Sequence, residues 1–64
     1  MTSEQLKEAR QQLGFSQQAL GDQIGMTRVM VGLMERGDKQ IELRTELAVE
    51  CLLRRAGKWS GFAR

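Results

Sequence analysis

The chain has no proline, no histidine and no tyrosine, and only one cysteine, Cys51, among 64 residues. A lone cysteine closes no internal disulfide, and without histidine it makes no zinc site. An unpaired thiol suits a reducing compartment, so a cytoplasmic location is expected. A basic-then-apolar leader pattern and a long apolar run are both missing, so neither secretion nor membrane insertion is expected. Nor is there a pair of acids placed for catalysis or a glycine-rich phosphate loop. The acidic row Glu42, Glu46 and Glu50 reads as a solvated face. No enzyme, cofactor, metal or small-molecule ligand is therefore expected. A domain this short buries only about 60% of its unfolded surface. With no covalent staple, it must draw stability from packed helices, from dimerisation, or from both.

What the chain does have is punctuation. Gly14, Gly25, Gly37 and Gly57 each follow a segment with helical spacing, where a left-handed C-terminal cap belongs. The first segment opens at Thr2 or Ser3, and Thr2 with Gln5 has capping-box spacing. Its residues Leu6, Ala9 and Leu13 recur at intervals of three and four and mark one buried face. Ser16 caps a second segment carrying Ala19, Leu20 and Ile24. Thr27 caps a third, with Val31 and Met34 inward, and Phe15 and Met26 plug the core beneath the two turns. A fourth segment runs from about Glu42 to Ala56. At about 100° per residue, Glu42, Glu46, Glu50 and Arg54 share one polar arc. Apolar residues cover well over half of the circumference, with Cys51 on the apolar side, assigned to the core. A surface helix needs only a stripe of about 100° or a little more.

These segments predict an all-α fold: one domain over residues 1–64, of four helices, with an apolar surplus in a C-terminal segment from about 42 to 64. The surplus suggests a homodimer whose interface is formed by Val49, Leu52, Leu53, Ala56, Trp59 and Phe62. The alternative is that Trp59 and Phe62 fold back and cover that surface within one chain.

The formal net charge is only +2, so distribution matters more than total. Arg28, Arg36, Lys39 and Arg44 flank or follow the third segment, and every charged residue after Cys51 is positive. Cations so placed suit phosphates, although they also suit ordinary solvated helix ends.

From Ser16 to Gly37, two short helical patterns are separated by a glycine turn. Gly21 is small where the two helices would cross. Leu20, Ile24, Val31 and Met34 supply apolar contacts, which is the arrangement of a helix-turn-helix. The runs Leu6 to Arg10, Leu13 to Gln17, Leu20-Gly21, Ile24 to Thr27, then Val31 and Glu35 to Gly37, resemble the Cro/CI-type (xenobiotic-response-element type) helix-turn-helix regulators. The resemblance covers residues 4 to about 53. It implies a lambda-repressor-like bundle of four to five helices that binds double-stranded operator DNA as a dimer and represses transcription. The short length and the stretch from Arg44 to Leu53 also resemble small phage autorepressors, including anti-CRISPR-associated regulators. Two departures stand out. The family usually carries alanine at the position of Gly21, and the outward residues of the recognition helix, Arg28, Val29, Met30, Gly32 and Leu33, are almost all apolar.

Roles follow from the residues and the resemblance together. Arg28 is the candidate for a bidentate contact to guanine O6 and N7, while Val29, Met30 and Leu33 suit thymine methyl groups. Gly32 would let the backbone approach the groove. Ser16, Gln17 and Gln18 open the second helix, where free N–H groups and the positive dipole end suit a phosphate, and the resemblance implies that Gln17 grips the DNA backbone. Thr27 caps the third helix and lies within reach of a phosphate, and Arg36, Lys39, Gln40 and Arg44 form a second backbone clamp. The resemblance further implies a structural ion pair between Arg10 and Glu35. The competing function is a protein-binding module, such as an antitoxin or adaptor, that uses the apolar face Val29, Met30 and Leu33.

Overall fold

The structure, a computed structural model, describes residues 1–59 and Gly61 and contains four α-helices. They are α1 (Ser3–Leu13), α2 (Gln17–Ile24), α3 (Arg28–Glu35) and α4 (Leu43–Arg55). The first three begin where a hydroxyl caps them. Thr2 accepts from the Gln5 N–H and completes a capping box, Ser16 accepts from Ala19, and Thr27 accepts from Met30. Each hydroxyl satisfies one of the N–H groups that a helix start leaves without a partner. Helix α2 stops at Gly25, whose φ of 72° is a left-handed conformation that costs a residue with a Cβ.

Helices α2 and α3 pack most extensively on each other, and α1 and α4 close over them. One core residue set joins all four: Leu6 and Ala9 from α1, Leu20 from α2, Val31 and Met34 from α3, and Val49 and Leu53 from α4. Phe15 and Met26, from the two turns, pack against this cluster. Full burial of side chains the size of Leu or Val contributes about 1.5–3 kcal/mol each, so these seven positions dominate the stability of the chain.

Helix α4 departs from the reading of its sequence in four respects. First, Glu46 is not on a solvated arc: it is buried at 3% exposure, and the amino group of Met1 donates to its carboxylate. Burying a carboxylate is costly unless a cation meets it, and Met1 is that cation. Second, Cys51 is exposed rather than in the core. Third, Val49 and Leu53, expected at a dimer interface, are fully within the monomer core. Fourth, Leu52 and Trp59 pack partly buried against that core, whereas Ala56 is exposed, as a residue of an interface between copies has to be in one chain. The Arg54 guanidinium lies 5.0 Å from the Trp59 ring centroid, which holds the indole against α4. Phe62 lies outside the described residues.

The cause is a helix with two apolar stripes. Thr45, Glu46, Val49 and Leu53 share the inward face. Leu43, Leu47 and Cys51, spaced by four, share the opposite one. Leu43 and Leu47 remain 65% and 52% exposed, so the unpartnered stripe is theirs.

Candidate nucleic-acid interface

The α2–α3 pair is held by one backbone approach. The Gly21 carbonyl accepts from the N–H groups of both Gly25 and Met26, which folds the turn back over α2. A methyl built on Gly21 would overlap the Met26 carbonyl oxygen and lie 3.2 Å from its carbon. A residue with a Cβ at this position forces the backbone of Met26 and Thr27 to shift.

A polar network fixes α3 from the other side. Arg10 grips Glu35 with two hydrogen bonds, Nε to Oε2 at 2.7 Å and Nη2 to Oε1 at 3.1 Å, while its Nη1 donates to the Phe15 carbonyl at 3.0 Å. The Glu35 side chain is only 4% exposed. Gln17 joins the pair by donating from Nε2 to Glu35 Oε1 at 3.2 Å. Helices α1, α2 and α3 therefore meet at one carboxylate. Charge-assisted and bidentate bonds of this kind are about twice as strong as neutral ones.

The outward side of α3 begins with Arg28, which is exposed and has no hydrogen bond or ion pair among the described residues. Val29 follows at 63% exposure, and Leu33 is half-buried. Two expected members of this face lie elsewhere. Met30 is half-buried and packs against the core. Gly32 is buried, because the Gln17 amide and the Arg36 guanidinium lie across it, each with an atom 3.5 Å from where a Cβ would stand. Gly32 therefore offers no bare backbone to a groove. Space exists there for a methyl group, unlike at Gly21.

The flanks divide into engaged and free groups. Ser16 and Thr27 are exposed but spend their hydroxyl acceptors on capping. Gln17 spends one side-chain N–H on Glu35, and Gln18 donates to Asp22 at 3.0 Å. Arg36 pairs with Asp38 at 3.3 Å and Arg44 with Glu42 at 3.4 Å, both pairs well exposed. Such exposed pairs contribute about 0–1 kcal/mol and exchange readily for another anion. Lys39 and Gln40 are exposed and make no hydrogen bond or ion pair among the described residues. A groove of about 580 Å³ runs beside the turn, lined by Ile24, Met26, Met30 and Ala48 together with Lys39, Glu42 and Arg44. Arg28 at the start of α3 and Lys39 in the loop after it thus stand as exposed cations with no ion pair among the described residues. Together with the apolar surface of α3, they can meet a polyanion and the apolar groups on it.

The sequence missed two features of this region. The bond from Gln17 to Glu35 spans two helices and leaves no local trace. The burial of Gly32 depends on side chains reaching over it from two different elements. Helix α3 places Gly32 on its outward arc, and only the tertiary neighbours cover it.

The family described as helix-turn-helix matches residues 6–56, which takes in most of α1 and all of α2, α3 and α4. No curated protein and no solved structure matches the chain.

Proposed function

Because the chain belongs to the Cro/CI-type helix-turn-helix family of DNA-binding regulators, we propose that it represses transcription, including that of its own gene, by binding an inverted-repeat operator as a homodimer. The observation that carries the reading is Arg28, an exposed and unpaired cation at the first position of α3. A cation at a helix N-terminus opposes the helix dipole, and an opposing base edge or phosphate relieves that cost. Arg28 reads guanine, Val29 and Leu33 touch neighbouring bases, and Met30 supports them from beneath. Ser16, Gln17, Gln18 and Thr27 on one flank and Arg36, Lys39, Gln40 and Arg44 on the other contact phosphates. The exposed pairs of Arg36 and Arg44 open to do so.

The dimer forms through the stripe of Leu43, Leu47 and Cys51, the apolar surface of α4 that the monomer leaves open. Two copies read half-sites about one helical turn apart, roughly 34–36 Å. The stretch from Arg44 to Leu53 supports an autorepressor of the small phage, anti-CRISPR-associated kind, acting in the cytoplasm. The 63% exposure of Val29 favours one second reading, a protein-binding module using the α3 face.

A gel shift with DNA from upstream of the gene, at two salt concentrations, separates the two. Under the repressor reading the shift is sequence-specific and weakens steeply with salt as phosphate counterions are released. Arg28→Ala abolishes it. A shift no stronger than that with random DNA refutes the repressor and leaves the protein-binding module.

A further inference from the structure

Helix α3 carries only two polar side chains, Arg28 and Glu35. Glu35 is turned inward and held by Arg10 and Gln17. Arg28 is therefore the one hydrogen-bonding side chain that α3 offers to base edges, and the remaining outward contacts, Val29 and Leu33, are apolar. In the major groove the one apolar feature that separates base pairs is the methyl group at pyrimidine C5. Thymine carries it and cytosine lacks it, while the hydrogen-bonding edge of the pair is read separately. Val29 and Leu33, four residues apart, lie on the same side of the helix, beside the Arg28 that reads guanine.

We infer that this chain discriminates its DNA chiefly by pyrimidine C5-methyl groups read by Val29 and Leu33, so that 5-methylcytosine is accepted where thymine is. The inference rests on the DNA-binding reading above. It makes the preferred ligand a duplex with a methylated pyrimidine next to the guanine bound by Arg28. Cytosine methylation at such a step would strengthen binding rather than block it.

Duplexes enriched by the wild-type chain from a random-sequence pool provide the probe. Each is resynthesised with deoxyuridine for individual thymidines, which removes the C5 methyl and leaves the hydrogen-bonding edge intact. Loss of one contacted methyl weakens binding about four-fold, which is ~0.8 kcal/mol per methyl-sized group converted at 1.4 kcal/mol per tenfold. Loss in both half-sites weakens it about sixteen-fold. Val29→Ser, at a position outside the core, loses the thymine-over-uracil preference at the base it contacts and keeps the one under Leu33, which isolates the contact from any effect on folding. Replacing the same T·A pair by C·G weakens binding, and methylating that cytosine at C5 recovers about four-fold. Equal binding of thymine and uracil duplexes by the wild type overturns the inference while leaving the DNA-binding reading intact. A pool that yields no enriched sequence overturns both.

Discussion

Gly21→Ala tests how closely the helix-turn-helix is built. Alanine is the better helix former by about 1 kcal/mol, and Gly21 lies inside α2, so a reading based on helix propensity alone expects stabilisation. The structure expects the opposite. The added methyl would overlap the Met26 carbonyl oxygen and lie 3.2 Å and 3.3 Å from the carbonyl carbons of Met26 and Thr27. All three are backbone atoms, so no side-chain rotation relieves the contact and the turn itself must move. Overpacking of this kind costs about 1–3 kcal/mol. Backbone neighbours place it in the upper part of that range, so a net loss of about 1–2 kcal/mol remains after the propensity gain. At about 4–8 °C per kcal/mol for a domain of this size, Tm falls by about 4–16 °C. Gly32→Ala is the internal control, because there a methyl meets only the ends of the Gln17 and Arg36 side chains, at 3.5 Å. It gains the propensity term without a clash, and Tm rises by up to about 4–8 °C. Thermal melts by far-UV circular dichroism measure both. If Gly21→Ala raises Tm as Gly32→Ala does, the close approach of the turn to α2 is refuted as the reason for glycine at that position.

Glu35→Ala strands Arg10 and removes the acceptor of Gln17. Breaking one side of a pair this buried costs about 3–5 kcal/mol, and chemical denaturation should show the loss as a lower midpoint with an unchanged slope. A loss below about 1 kcal/mol would place the pair with weak surface pairs instead. Leu47→Glu puts a charge in the centre of the exposed α4 stripe and should convert a dimer to a monomer in sedimentation equilibrium without lowering helix content. Val49→Ala should instead destabilise the fold itself by about 1–3 kcal/mol, as a core truncation. If Leu47→Glu stays dimeric, the interface lies elsewhere. Lys39→Ala should weaken DNA binding evenly across sequences and reduce the salt slope by about 1, the mark of one lost phosphate contact. A change in sequence preference would instead make Lys39 a base contact.

Much of the chain was legible because its signals are local. Thr2, Ser16 and Thr27 each cap a helix from within three residues of the N–H they satisfy, and Gly25 sits where the turn needs a left-handed residue. The amphipathic spacing of Leu6, Ala9, Leu20, Val31 and Met34 was enough to place them in a core and to order α1, α2 and α3 as a helix-turn-helix with its supporting helix. The candidate site was legible only in part: the exposure of Val29 follows from the helical period once Val31 and Met34 face inward, whereas Met30 and Gly32, read as outward, are half-buried and buried.

Tertiary structure alone decided the rest. Helix α4 carries two apolar stripes, one through Val49 and Leu53 and one through Leu43, Leu47 and Cys51. Periodicity describes both equally well, and only packing against α1 and α2 assigned the first to the core and left the second open. Glu46 reads as part of a solvated acidic row until the chain brings Met1 to it across 45 positions. Gly32 belongs to the outward arc of α3 until Gln17 and Arg36 close over it. In each case the deciding partner is remote in sequence. Local rules set where helices start, stop and turn, whereas which face is buried depends on what the folded chain places against it.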